Sequence, residues 1–222
     1  MMKKMIGVSG VIAIALAIAS CSSGKSGKIV EVTDSVAATQ VNVEIAYDID
    51  STASVMTWKG FKPGGEHFGR LPITSGKVSI TDGQLLGGHV EIKMNGIVVD
   101  DLEGDLARKL KEHLENEDFF DVQRYPLARF ELTDIPERGL AVGTLAELKG
   151  NLTLKDMTKN VAIPIQSVNF DASDSSWSIR SEVFRINRAN WNVKYGSKSF
   201  FSNLGNKFID DEIELSFYLR TR

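Results

Sequence analysis

The sequence predicts an all-β domain, a closed antiparallel barrel of about eight strands carrying one packed α-helix. Two observations point there. Alternating apolar and polar residues recur in eight short segments, the period of half-buried strands, and turn-forming pairs such as Asp82-Gly83 and Pro63-Gly64 separate them. A third observation sets the single exception, a stretch whose leucines recur every fourth residue. Eight strands without a partner sheet favour closure, because a barrel leaves no exposed edge for another chain to pair with. A β-sandwich is the main competing architecture.

The elements follow in chain order. Strands are expected at Ser54 to Lys59, Gly76 to Thr81 and His89 to Met94, where Val90, Ile92 and Met94 share a face opposite His89, Glu91 and Lys93. From Asp100 to Leu114 the residues Leu102, Leu106, Leu110 and Leu114 form one stripe of an amphipathic helix. Asp100 and Glu103 have the three-residue spacing of a capping box at its start. Further strands run over Ala128 to Thr133, Gly150 to Lys155, Asn160 to Phe170 and Trp177 to Arg185. In the last, Ile213, Leu215, Phe217 and Leu219 alternate with Glu212, Glu214, Ser216 and Tyr218. Apolar parity switches near Gln166-Ser167, from Val161, Ile163 and Ile165 to Val168 and Phe170, so a bulge is expected there to restore the facing.

Ahead of the domain lies a targeting segment. Lys3 and Lys4 precede an uncharged apolar run from Met5 to Ala19, ending in Ile18-Ala19-Ser20-Cys21. This is the layout of a signal peptide, and the run is shorter than the ~20 apolar residues a spanning helix needs. Cys21 is the only cysteine and sits where a bacterial lipobox places the acylated residue. The expected organisation is therefore a lipoprotein signal over 1–20, a flexible Ser/Gly/Lys/Thr-rich tether over 21–40, and a barrel domain over 41–222. Palmitate-class acyl chains on Cys21, at roughly 0.8 kcal/mol per buried methylene, would hold the domain at a membrane of the cell envelope, on its periplasmic or outer surface. A single thiol also allows no internal disulfide, so the core alone must hold the fold.

A barrel of this size is either filled by its own side chains or holds one small ligand. The many rings of the domain are mostly core, and a minority clustered on the inner wall would line an apolar pocket. Small residues at Val142, Ala146, Gly150 and Gly87-Gly88 favour some space inside.

Four stretches make the sequence recognisable. They are Ser54 to Lys62 leading into His67-Phe68-Gly69; His113 to Val122, with the pair Phe119-Phe120, followed by Tyr125 to Phe130; Gly150 to Lys159; and Phe184 to Val193, closing with Asp210 to Ile213. In this order and spacing the chain resembles the YceI-like family of periplasmic lipid-binding proteins. The resemblance implies an extended lipocalin-like barrel whose interior accepts a polyisoprenoid, an isoprenoid quinone or another fatty amphiphile. It points to Trp58, Phe68, Phe119, Phe120, Phe130, Phe184 and Trp191 for the apolar wall, and to Lys59, Lys62, His67 and Arg188 for a polar mouth. Two positions depart from the family pattern: Asn187 stands where Asp is usual and Asn192 where Gly is usual. The first puts in doubt ligand contacts near Arg188 that would rely on an Asp–Arg pair. The helix is expected to act as a lid or plug.

Enzymatic chemistry finds little support. His67, His89 and His113 lack metal-ligand spacing, and no nucleophile elbow, phosphate loop or dinucleotide fingerprint occurs. Asp100-Asp101 and Asp210-Asp211 are better read as structural acids. No catalytic residue, metal or cofactor is expected. Without Lys3 and Lys4 the chain has 24 Lys and Arg against 29 Asp and Glu, a balance of −5 that argues against nucleic acid. The expected partners are the lipid or isoprenoid ligand, the membrane through the anchor, and a homodimer. The competing reading is an envelope protein-interaction module with a filled core.

Overall fold

The computed structural model describes residues 24–38 and 46–222. The expected signal peptide and Cys21 lie outside the described residues. Short strands β1 (Lys28–Ile29), β2 (Val32–Asp34) and β3 (Tyr47–Asp48) precede β4 (Val55–Lys62), β5 (Gly65–Thr81) and β6 (Gln84–Lys93). After β7 (Val98–Val99) come α1 (Gly104–Glu115), β8 (Leu127–Leu132), β9 (Leu140–Ala141), β10 (Glu147–Leu154) and β11 (Met157–Asp171). The chain closes with β12 (Ser176–Ser181), β13 (Phe184–Asn187), a 3-10 turn at Arg188–Trp191, and β14 (Glu212–Arg220).

Pairing runs β4–β5–β6–β8–β10–β11–β12–β14 and returns to β4, an eight-strand antiparallel barrel. Two long strands make it extended. The 17-residue β5 pairs with β4 through its first half and with β6 through its second, with register shifts between Ile73 and Ser75 and between Ser79 and Ile80 in the β6 pairing. β11 likewise pairs with β10 and then β12, with a shift between Ile165 and Ser167 where the parity switch predicts a bulge. That bulge returns Val168 to the core but leaves Phe170 at 49% exposure, its ring against Trp177, because the strand there runs past the end of the core. The hairpins are the expected ones: Asp82 and Gly83 both take positive φ between Thr81 and Gln84, as a two-residue turn requires.

Three readings need correction. Helix α1 starts at Gly104 rather than Asp100, and no side chain caps it. Asp100 instead accepts two bonds from Arg70, at 2.8 and 2.9 Å, across the sheet. Only the last turns of α1 pack inward: Leu114 is buried and Leu110 lies against the core, while Leu106 is 63% exposed. Lys111 ties the helix down through the carbonyls of Asn95 and Ile97.

The stretch expected as a free tether is also docked over residues 25–36. β12 and β13 pair with the same side of β14, but β13 leaves β11 unpaired on the flank facing it. The amino-terminal segment bridges this seam, β1 running parallel to β13 and β2 antiparallel to β11 at Val161, Asn160 and Lys159. Between them Val30 is buried in the core. Lys25 reaches Asp210 at 2.5 Å and Glu212 at 3.4 Å, and Ser26 N–H bonds Glu214. Alternation could not reveal this segment, since it is held mostly by backbone pairing and isolated ion pairs.

Candidate functional site

Inward side chains of the barrel enclose two apolar cavities that share Met56, Leu152 and Leu215 in their walls. One, of about 60 Å³, lies towards the Asp82-Gly83 end and is lined by residues such as Ile73, Val90, Phe130, Ile163 and Phe184. The other, of about 120 Å³, lies towards the opposite end, among Trp58, Leu114, Phe119, Phe120, Arg188 and Ile209. Their exposed walls are apolar, and apolar cavities on the order of 150 Å³ stay dry. The three shared residues form the wall common to both cavities.

Of the rings expected on the wall, Trp58, Phe119, Phe120, Phe130 and Phe184 do line these cavities. Trp58 is oriented by its indole N–H, which donates to the Val98 carbonyl at 3.2 Å. Phe130 owes its position to Gly150 on the neighbouring strand, where a Cβ would come within 2.6 Å of the ring. Phe68 does not belong with them. On β5, Leu71 and Ile73 point inward, so Phe68 has the opposite parity and is 40% exposed beneath Lys59. Trp191 is fully buried, yet it packs behind the wall, donating to the Leu152 carbonyl at 2.9 Å, and touches neither cavity.

The residues expected at a polar mouth divide. Lys59, Lys62 and His67 sit on the outside of the β4–β5 hairpin. Lys59 pairs with Glu66, and Lys62 donates to His67 Nε2 at 2.9 Å, whose Nδ1 lies 2.7 Å from Asp101. Burial alone would raise the Asp101 carboxyl, but His67 and the Phe68 N–H outweigh it and hold it below the usual carboxylate range.

Arg188 is elsewhere entirely. Its guanidinium is fully buried and borders the larger cavity, 5.4 Å from the Phe119 ring. Nε donates to Asp210 O, Nη1 to Val193 O, and Nη2 to both Tyr195 O and Ile209 O, at 2.6 to 3.1 Å. Four of its five donors are thus spent on main-chain carbonyls of the loop 192–211. Burial pushes its pKa below the ordinary arginine value, against the pull of Asp211 and Asp210. Arg188 is therefore a peg that fixes the loop over the barrel end rather than a charge at an open mouth.

The two departures at this motif have structural accounts. Asn187 accepts from Ala189 N–H at 2.9 Å and caps the 3-10 turn, a role a neutral amide fills as well as a carboxylate. Asn192 sits at φ 56°, a left-handed conformation that Asn tolerates better than most residues after Gly.

The YceI-like domain model matches residues 47–221. The chain belongs to the YceI-like domain family. Solved structures share the fold. BcnA from Burkholderia cenocepacia is 18% identical with a TM-score of 0.60, covering 78% of this chain and 99% of its own. A polyisoprenoid-binding domain from Saccharophagus degradans is 13% identical with a TM-score of 0.53, covering 79% of this chain and 97% of its own. No curated protein sequence matches as a relative. Within this YceI-like barrel, the residues that sequence reasoning missed are Met56, Leu152 and Leu215, in the wall that the two cavities share. Their inward parity was legible, but nothing marked them as common to two cavities.

Proposed function

We propose that this YceI-like protein binds a lipid-like amphiphile, a polyisoprenoid, isoprenoid quinone or fatty chain, reversibly and without catalysis. In this reading it is exported, acylated at Cys21 and held on the periplasmic or outer surface of a bacterial envelope membrane. The supporting observation is the pair of apolar cavities inside the barrel, separated by a wall that includes Met56, Leu152 and Leu215. An alkyl or prenyl chain gains roughly 0.8 kcal/mol for each methylene withdrawn from water into such cavities. A long chain needs more room than the cavities as they stand, so the half-buried Met56 and Leu152 must give way along the axis. Phe119 and Phe120, on the turn after α1, wall the wider end.

The modest cavity volumes favour a second reading, an envelope protein-interaction module with a filled core. Native mass spectrometry of detergent-free protein from a bacterial envelope, followed by organic extraction, separates the two. A stoichiometric lipid supports the carrier. A bare mass, unchanged after incubation with quinones and fatty amphiphiles, supports the interaction module.

A further inference from the structure

The loop 192–211 closes the wider end of the barrel, and its tip is unusual for this protein. Tyr195, Phe200 and Phe201 are 44%, 41% and 45% exposed. Between Asn192 and Ile209 the sequence holds Lys194, Lys198 and Lys207 and no acid, in a chain that is acidic overall. Among the described residues none of these lysines forms a salt bridge. Lys194 and Lys198 fold over Phe200 and Phe208, leaving cation and ring side by side at the surface. The base of the loop is rigid, since Arg188 holds the carbonyls of Val193, Tyr195, Ile209 and Asp210. Exposed phenylalanines flanked by lysines suit the interface of an anionic bilayer, where rings enter the acyl boundary and cations meet phosphate.

The acylation proposed at Cys21 would bring a membrane to this same end. Lys25 is bonded to Asp210 at the foot of the loop. Cys21 precedes it by four residues, a span of at most about 14 Å fully extended.

We propose that the tip Tyr195–Phe208 docks on an anionic lipid surface and seats the wider cavity against the bilayer. This rests on the carrier reading, in which a ligand would pass between membrane and barrel through the end that Phe119, Phe120 and Ile209 close.

The test uses residues 24–222, which contain every strand of the closed barrel, so that neither signal peptide nor acyl group contributes. Sedimentation with vesicles of phosphatidylcholine plus roughly one-third phosphatidylglycerol should capture the protein, and phosphatidylcholine alone should capture far less. Replacing Lys194, Lys198 and Lys207 with Gln should weaken anionic binding by about fivefold for each lysine. Phe200→Ala with Phe201→Ala should weaken binding to both vesicle types. Phe170→Ala, an exposed ring at the opposite end, should change nothing. Binding indifferent to the loop substitutions, or equally sensitive to Phe170→Ala, overturns the proposal. A barrel that carries lipid by mass spectrometry but ignores these vesicles refutes the docking alone. A bare barrel that still binds them refutes the carrier reading and keeps the docking.

Discussion

Replacing Arg188 with Met should act on stability before it acts on any ligand. The substitution keeps most of the buried volume but removes donors from four carbonyls, those of Val193, Tyr195, Ile209 and Asp210. An unsatisfied buried polar group costs about 1–3 kcal/mol. The loop can relax towards water, so the lower figure applies, and four carbonyls give about 4 kcal/mol. Relief from burying a guanidinium offsets part of this, leaving about 3 kcal/mol. For a domain of this size 1 kcal/mol corresponds to roughly 2–4 °C in Tm, so circular dichroism melting should show a fall of about 10 °C. Arg188→Lys, with three donors instead of five, should fall between the two. A melt within about 2 °C of the parent, accompanied by lost lipid retention, would refute the argument and make Arg188 a ligand contact.

Other consequences follow from the same geometry. Leu152→Trp should thicken the wall between the cavities, and native mass spectrometry after incubation with a chain-length series should then show shorter chains retained and long ones lost. Gly150→Ala should drive the Phe130 ring from its place, costing about 1–3 kcal/mol in a urea titration as overpacked cores do; an unchanged midpoint would mean that the ring moves freely. Burial, then the Arg129 charge, lower the His89 pKa against the pull of Glu91 and Glu131. The unfolded chain therefore takes up this proton first, and stability present above about pH 6.5 declines as pH falls below that value. The Tm of a His89→Gln variant should decline less between pH 7.5 and 5.5. Lys25→Ala should loosen the amino-terminal segment, so that the Val30 amide, bonded to the Arg185 carbonyl, exchanges faster than in the parent while the amides of β14 keep their rates.

Most of the barrel was legible because its strands are half-buried and carry that fact as alternation. The ends of elements were not, and the helix start shows why. Asp100 and Glu103 satisfy the spacing of a cap, yet Asp100 is engaged by Arg70, thirty positions earlier, which no local pattern records. Parity decided the cavity wall correctly where it was applied, and Phe68 failed because its place rested on motif rather than on the facing of Leu71 and Ile73. The burial of Arg188 was hidden for a different reason. Its partners are main-chain carbonyls, which every residue possesses and no sequence can advertise.

The bridged seam has a consequence for the order in which the molecule is completed. β1 and β2 are made first, but their partners in β13 and β11 lie more than one hundred residues later. This segment, which flanks the eight barrel strands, therefore cannot seat before β11 and β13 have formed, and contacts so distant in sequence form slowly. Until then Val30 and the flank of β11 stay bare, and the nascent protein presents an open sheet edge of the kind that other chains can join.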